Sequence, residues 1–176
     1  MGLWSSACLV PADGTIRPDP IDLPPEIDLS AVYPPSSFFE PDTKCNCFKV
    51  SLDRVSDLND DSLVARFATN LGRPGRARCF DEFTTPPALR PQRIGTQLIP
   101  AESFIDFPTE TVHTISVFVT DAPSFAKSST LAPESCGEIP TGADGGVSGY
   151  HVIEHQWTVR FVDGVTDCFG CNAVGH

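Results

Sequence analysis

His151, Glu154 and His155 spell H-x-x-E-H, the inverted zinc-protease motif. That chemistry needs both histidines on one helical face, so that they hold one zinc while the glutamate activates its water. The residues around them alternate instead. Ile153, Trp157, Val159 and Phe161 fall on one parity and Glu154, Gln156, Thr158 and Arg160 on the other, the pattern of a half-buried strand over 151–162. In a strand Glu154 turns away from both histidines, so no catalytic residue is assigned here. His155 is expected as a hydrogen-bonded histidine at the edge of the core.

The cysteines are the stronger signal. Cys45-x-Cys47 and Cys168-x-x-Cys171 form two close pairs far apart in the chain, with Cys8, Cys79 and Cys136 left over. Two such pairs can make a four-thiolate zinc site, because zinc accepts tetrahedral sulfur from two short knuckles. Against this, Cys-x-Cys on a strand places its thiols about 7 Å apart on one face, too far to share a metal unless the strand bends. The competing assignments are disulfides, in which a count of seven leaves at least one thiol free or intermolecular, and buried reduced thiols. The candidate metal residues are thus Cys45, Cys47, Cys168 and Cys171, with no cofactor or one structural zinc.

Whatever their chemical state, these four are expected to meet. A Gly-flanked C-terminal tail of small residues gains little from apolar burial, so the pair at its base anchors it to the Cys45 strand. A crosslink is expected to use one member of each pair. CFGC is not a thioredoxin-like motif, since that motif opens a helix after a strand, and no iron–sulfur spacing is present. Nor does the chain contain a nucleophile elbow, a phosphate loop or a dinucleotide fingerprint. The expectation is that it is not an enzyme.

The elements that must position these residues are mostly strands. From Cys45 the chain alternates, with Phe48, Val50 and Leu52 on one side; Ile94–Ile99 is a short strand ended by Pro100. Thr111–Thr120 places His113, Ile115, Val117 and Val119 on one face. One helix is favoured, with a strand over 62–69 as the alternative: Asp60 and Asp61 can cap it, Val64, Phe67 and Leu71 recur at three- to four-residue spacing, and Gly72 with Pro74 ends it. Residues 72–79 hold the one basic cluster, Arg73, Arg76 and Arg78, read as a solvated turn. Residues 121–149, rich in Ser, Pro, Gly and Ala, are a long loop.

Residues 11–42 carry eight prolines, which remove ladder donors and disfavour helix. They also carry Ile16, Ile21, Leu23, Ile27, Leu29, Val32, Tyr33, Phe38 and Phe39, more apolar surface than a free linker needs. The segment is therefore expected to be an extended arm lying on its own domain or on a neighbouring subunit, with partial disorder as the alternative. The fold class is mainly β, an antiparallel sandwich or small barrel with this Pro-rich arm and at most one or two short helices. The division is 1–43, arm, and 44–176, β-rich domain.

A formal charge of −11, from 12 Lys and Arg against 23 Asp and Glu, repels phosphate backbones, so nucleic acid is not an expected partner. No stretch approaches the roughly 18 apolar residues of a spanning helix, and a membrane is not an expected partner either. The opening MGLWSSACLVP lacks a basic n-region and is broken by Ser5, Ser6 and Pro11, a poor secretory signal that points to synthesis in the cytosol. Met1, Gly2 and Ser6 also fit the myristoylation pattern, with Cys8 available for a second chain.

A small acidic β-rich domain with an apolar arm and no catalytic motif fits a subunit of a larger assembly, whose partners are other protein subunits including copies of itself. In architecture it resembles the β-rich cement, decoration or tail-associated proteins of tailed phages. That likeness implies a virion accessory protein, made in the host cytoplasm and located in the particle. The alternative is a small metal-binding or disulfide-stabilised interaction module of a cell; a metal-dependent hydrolase rests on H-x-x-E-H alone.

Overall fold

The computed structural model describes residues 23–71, 77–88, 90–104, 112–122, 150–164 and 167–171. Strand follows strand along them: β1 (Glu26–Ile27), β2 (Val32–Tyr33), β3 (Phe38–Phe39), β4 (Cys47–Leu52), β5 (Val55–Ser56), β6 (Val64–Thr69), β7 (Arg78–Thr84), β8 (Gly95–Pro100), β9 (Val112–Thr120) and β10 (Val152–Arg160). Helix is confined, among the described residues, to single 3-10 turns at Leu29–Ala31 and Ala101–Ser103. The mainly β class expected from the alternation is what the chain adopts.

Two sheets face each other across one core. The larger has the order β3-β10-β9-β6-β7 and the smaller β2-β4-β8, while β1 and β5 form a separate two-stranded ribbon. Phe48, Val50, Leu52 and Ile99 of the smaller sheet pack with Phe67, Ile115, Val117, Trp157 and Val159 of the larger. Each such side chain, fully withdrawn from water, contributes roughly 1.5–3 kcal/mol. The faces read from parity are the faces observed: His113, Ile115, Val117 and Val119 are buried together, as are Trp157, Val159 and Phe161. Among the described residues the strands pair antiparallel except β3 with β10, where Phe38 and Phe39 lie beside Thr158 and Val159 and the parallel run continues in a bridge from Asp42 to Val162.

The helix expected after Asp60 does not form. Residues 64–69 are strand β6, between β7 and β9 near the centre of the larger sheet. Ala65 and Phe67 join the main core; Val64 and Ala68 join a second cluster with Phe118 on the opposite face. A strand buried on both faces loses its polar alternation, so apolar residues spaced three and four apart imitate a helical stripe. Asp60, instead of capping a helix, has φ of 64°, and Asn70 with φ of 51° turns the chain out of the strand.

The described part of the Pro-rich segment lies on the chain's own sheets. Val32 and Tyr33 pair with Leu52 and Ser51, and Phe38 and Phe39 pair with β10, so the segment crosses from one sheet to the other through Pro34 and Pro35. Strands of two residues are what this proline density permits, because each proline removes a ladder donor. The N-terminal opening with Gly2 and Cys8, Arg73 and Arg76, and almost all of the 121–149 loop with Cys136 lie outside the described residues.

Candidate functional site

Cys45 is bonded to Cys168 and Cys47 to Cys171, with Cα–Cα separations of 5.5 and 5.7 Å. The two pairs meet as their placement at the base of the tail requires. The expectation that one member of each pair stays spare is corrected: all four sulfurs are used, in two nested crosslinks. A cysteine holds a metal through its thiolate, which a sulfur joined in a disulfide does not offer. Of the alternatives that the spacing leaves open, the structure contains the disulfides. Cys79, on β7, is disulfide-bonded as well.

The site is built where β4 begins. Asp42 turns the chain into it, accepting from the Cys45 amide through its carbonyl and from the Lys44 amide through its carboxylate. β2 reaches only Ser51 and Leu52 of β4, which leaves the first half of that strand open on this side. The tail fills the gap. The amide of Lys49 donates to the carbonyl of Phe169 at 3.0 Å, and the amide of Cys171 closes a tight turn on the carbonyl of Cys168. Phe169 and Gly170 form its corner with φ of 47° and 79°, the second eased by the absence of a side chain.

The tail also docks through apolar contact, contrary to expectation. The ring of Phe169 lies 4.8 Å from that of Phe39 and packs on the main core. One aromatic between small residues was the available signal in the sequence. Beside the turn, the Lys49 ammonium sits 5.6 Å from the centre of the Tyr33 ring. Burial pushes the Tyr33 hydroxyl above its usual range, and the Asp167 carboxylate adds to the shift.

The H-x-x-E-H residues do not form a centre around one metal. Glu154 is exposed on β10, on the opposite parity from His151 and His155. His151 is tied to the end of β9: its amide donates to one carboxylate oxygen of Asp121 at 2.7 Å, and its Nδ1 lies 3.2 Å from the other. His155 packs edge-on against Trp157, ring centres 4.5 Å apart. The hydrogen bond expected of it is not found at Nε2, which is buried and has no partner among the described residues. Burial accordingly holds its pKa below the usual imidazole value.

What this arrangement does chemically is crosslink. It closes the open edge at the start of β4 with a covalently held tail and so joins residues 45–47 to residues 168–171. Compared with family models, with curated proteins and with solved structures, the chain matches none.

Proposed function

We propose that the chain is a non-enzymatic structural subunit of an assembly exposed to an oxidising medium, with a virion accessory protein of the cement, decoration or tail-associated kind as the specific instance. The observation that carries this reading is the pair of nested disulfides, Cys45–Cys168 and Cys47–Cys171. Disulfides persist on virion and cell surfaces, in secreted proteins and in the periplasm, and are rare where glutathione and thioredoxin keep thiols reduced. Covalent closure of a small domain suits a part that must survive outside the cell without repair. The acidic balance keeps its exposed face hydrated and disfavours nucleic acid as a partner, which leaves contact with protein partners, including copies of itself, to apolar surface. No zinc is needed while the four cysteines are joined to one another.

The same disulfides favour a second reading, a disulfide-stabilised interaction module at a cell surface or in a secreted protein. Density-gradient fractionation of the producing culture, with detection of this chain by antibody, separates the two. The chain should sediment with particles and carry no alkylatable thiol at Cys45, Cys47, Cys168 or Cys171. Recovery with the cell envelope or as free secreted protein would favour the second reading. Recovery as a cytosolic monomer with reduced thiols would overturn both.

A further inference from the structure

We infer that the two nested disulfides form a latch that opens in a set order, with Cys47–Cys171 the exchangeable outer bond and Cys45–Cys168 the protected inner one. The two bonds link the start of β4 and the turn before it to one tail turn, but they do not share one environment. Cys45 and Cys168 are 2% and 9% exposed, whereas Cys47 and Cys171 are both half-buried. Cys47 lies on the same parity of β4 as the half-buried Lys49, opposite Phe48 and Val50, which are buried in the core. Gly170, next to Cys171, is exposed. The outer bond is thus the more accessible to solvent and the inner one the more buried.

Exchange requires a thiolate to approach one sulfur in line with the bond that breaks, so access governs the order. A small dithiol supplies the reaction. One of its sulfurs attacks the outer disulfide, forming a mixed disulfide and releasing the other cysteine as thiolate. Its second sulfur then displaces the remaining cysteine. The reductant leaves as a cyclic disulfide, having given two electrons and two protons, and Cys47 and Cys171 become thiols. The inner bond still holds the turn at Cys168, and Phe169 still packs on Phe39 and accepts from Lys49. The protein therefore has an intermediate state, latched by one bond with two half-buried thiols where β4 begins. This ordering does not depend on which assembly the chain serves.

The test uses the intact oxidised protein. It is exposed to graded dithiothreitol, quenched in acid, alkylated with iodoacetamide and mapped by peptide mass spectrometry. Cys47 and Cys171 should label at least about tenfold faster than Cys45 and Cys168 under native conditions. In concentrated urea the difference should collapse, because it comes from access. Species labelled only at Cys47 and Cys171 should keep the native near-ultraviolet circular dichroism. Equal native rates, earlier labelling of the inner pair, or a preference that persists in urea would each overturn the ordered latch, as would loss of the native spectrum on opening the outer bond.

Discussion

The indole nitrogen of Trp157 donates to the carbonyl oxygen of Pro34 at 3.0 Å, across 123 residues of sequence. Both residues are buried. The bond ties the centre of β10 to the point where the Pro-rich segment passes from the smaller sheet to the larger. A proline carbonyl opposite an indole N–H is a complementary pair, one lacking a donor and the other lacking an acceptor.

Trp157→Phe keeps most of the apolar volume but leaves the Pro34 carbonyl without its donor. The expected cost is about 1–3 kcal/mol, the desolvation penalty of an unsatisfied buried acceptor plus the smaller ring. Urea denaturation should show a lower midpoint with an unchanged slope. An unchanged midpoint would mean that water replaces the indole there.

The nested disulfides should be strongly non-additive. Either one alone closes a loop of more than 120 residues, a constraint on the unfolded chain of about 5 kcal/mol in the chain-entropy account. Once one is made, the other closes only the short ring between the two pairs, about 2 kcal/mol on the same scale. Serine replacement of Cys45 with Cys168, or of Cys47 with Cys171, should therefore cost about 2 kcal/mol, and replacement of all four about 7 kcal/mol. Melting of the three variants by calorimetry checks this. Simple additivity would show that the tail is held by its contacts and not by chain closure.

Gly95, at the start of β8, has φ of +142°, and a Cβ there would come within 2.8 Å of the Phe83 ring. Gly95→Ala should cost about 1–3 kcal/mol. Adding Phe83→Leu should recover only part of it, since the clash is relieved but the backbone preference is not. Full recovery in the double variant, read from thermal midpoints, would assign the whole effect to the ring.

His155 makes stability depend on pH with a definite sign. Its folded-state pKa lies below its ordinary value of 6.5 because of burial, so as pH falls the unfolded chain takes up the proton first. Its contribution is complete above that ordinary value and is lost as pH falls from there toward the lower folded value. Comparing urea midpoints at about pH 7.5 and about pH 5.5 should show a smaller acid-side loss in His155→Gln than in the unaltered protein. Glu154→Gln, on the exposed parity, should leave the unfolding free energy at both pH values within about 0.5 kcal/mol of the unaltered protein.

The sequence by itself determined which residues face the core along β9 and β10, because period-two alternation records burial on one face and needs no partner to be read. It also determined that H-x-x-E-H lies in a strand with Glu154 turned outward; the meeting of the cysteine pairs is expected from it, but on the premise of a tail without apolar docking, which Phe169 overturns. Only the tertiary structure decided the rest. Residues 64–69 became a strand because neighbours on both sides and both faces remove the alternation that would have marked it. The pairing of Cys45 with Cys168 and Cys47 with Cys171, and the docking of Phe169 on Phe39, depend on where a tail arrives after more than a hundred residues. Local spacing carries no record of such distances. The same holds for the Pro-rich segment: its prolines forbid long strands, but its crossing between the sheets follows from the open edges of β4 and β10, which exist only once the sheets have formed.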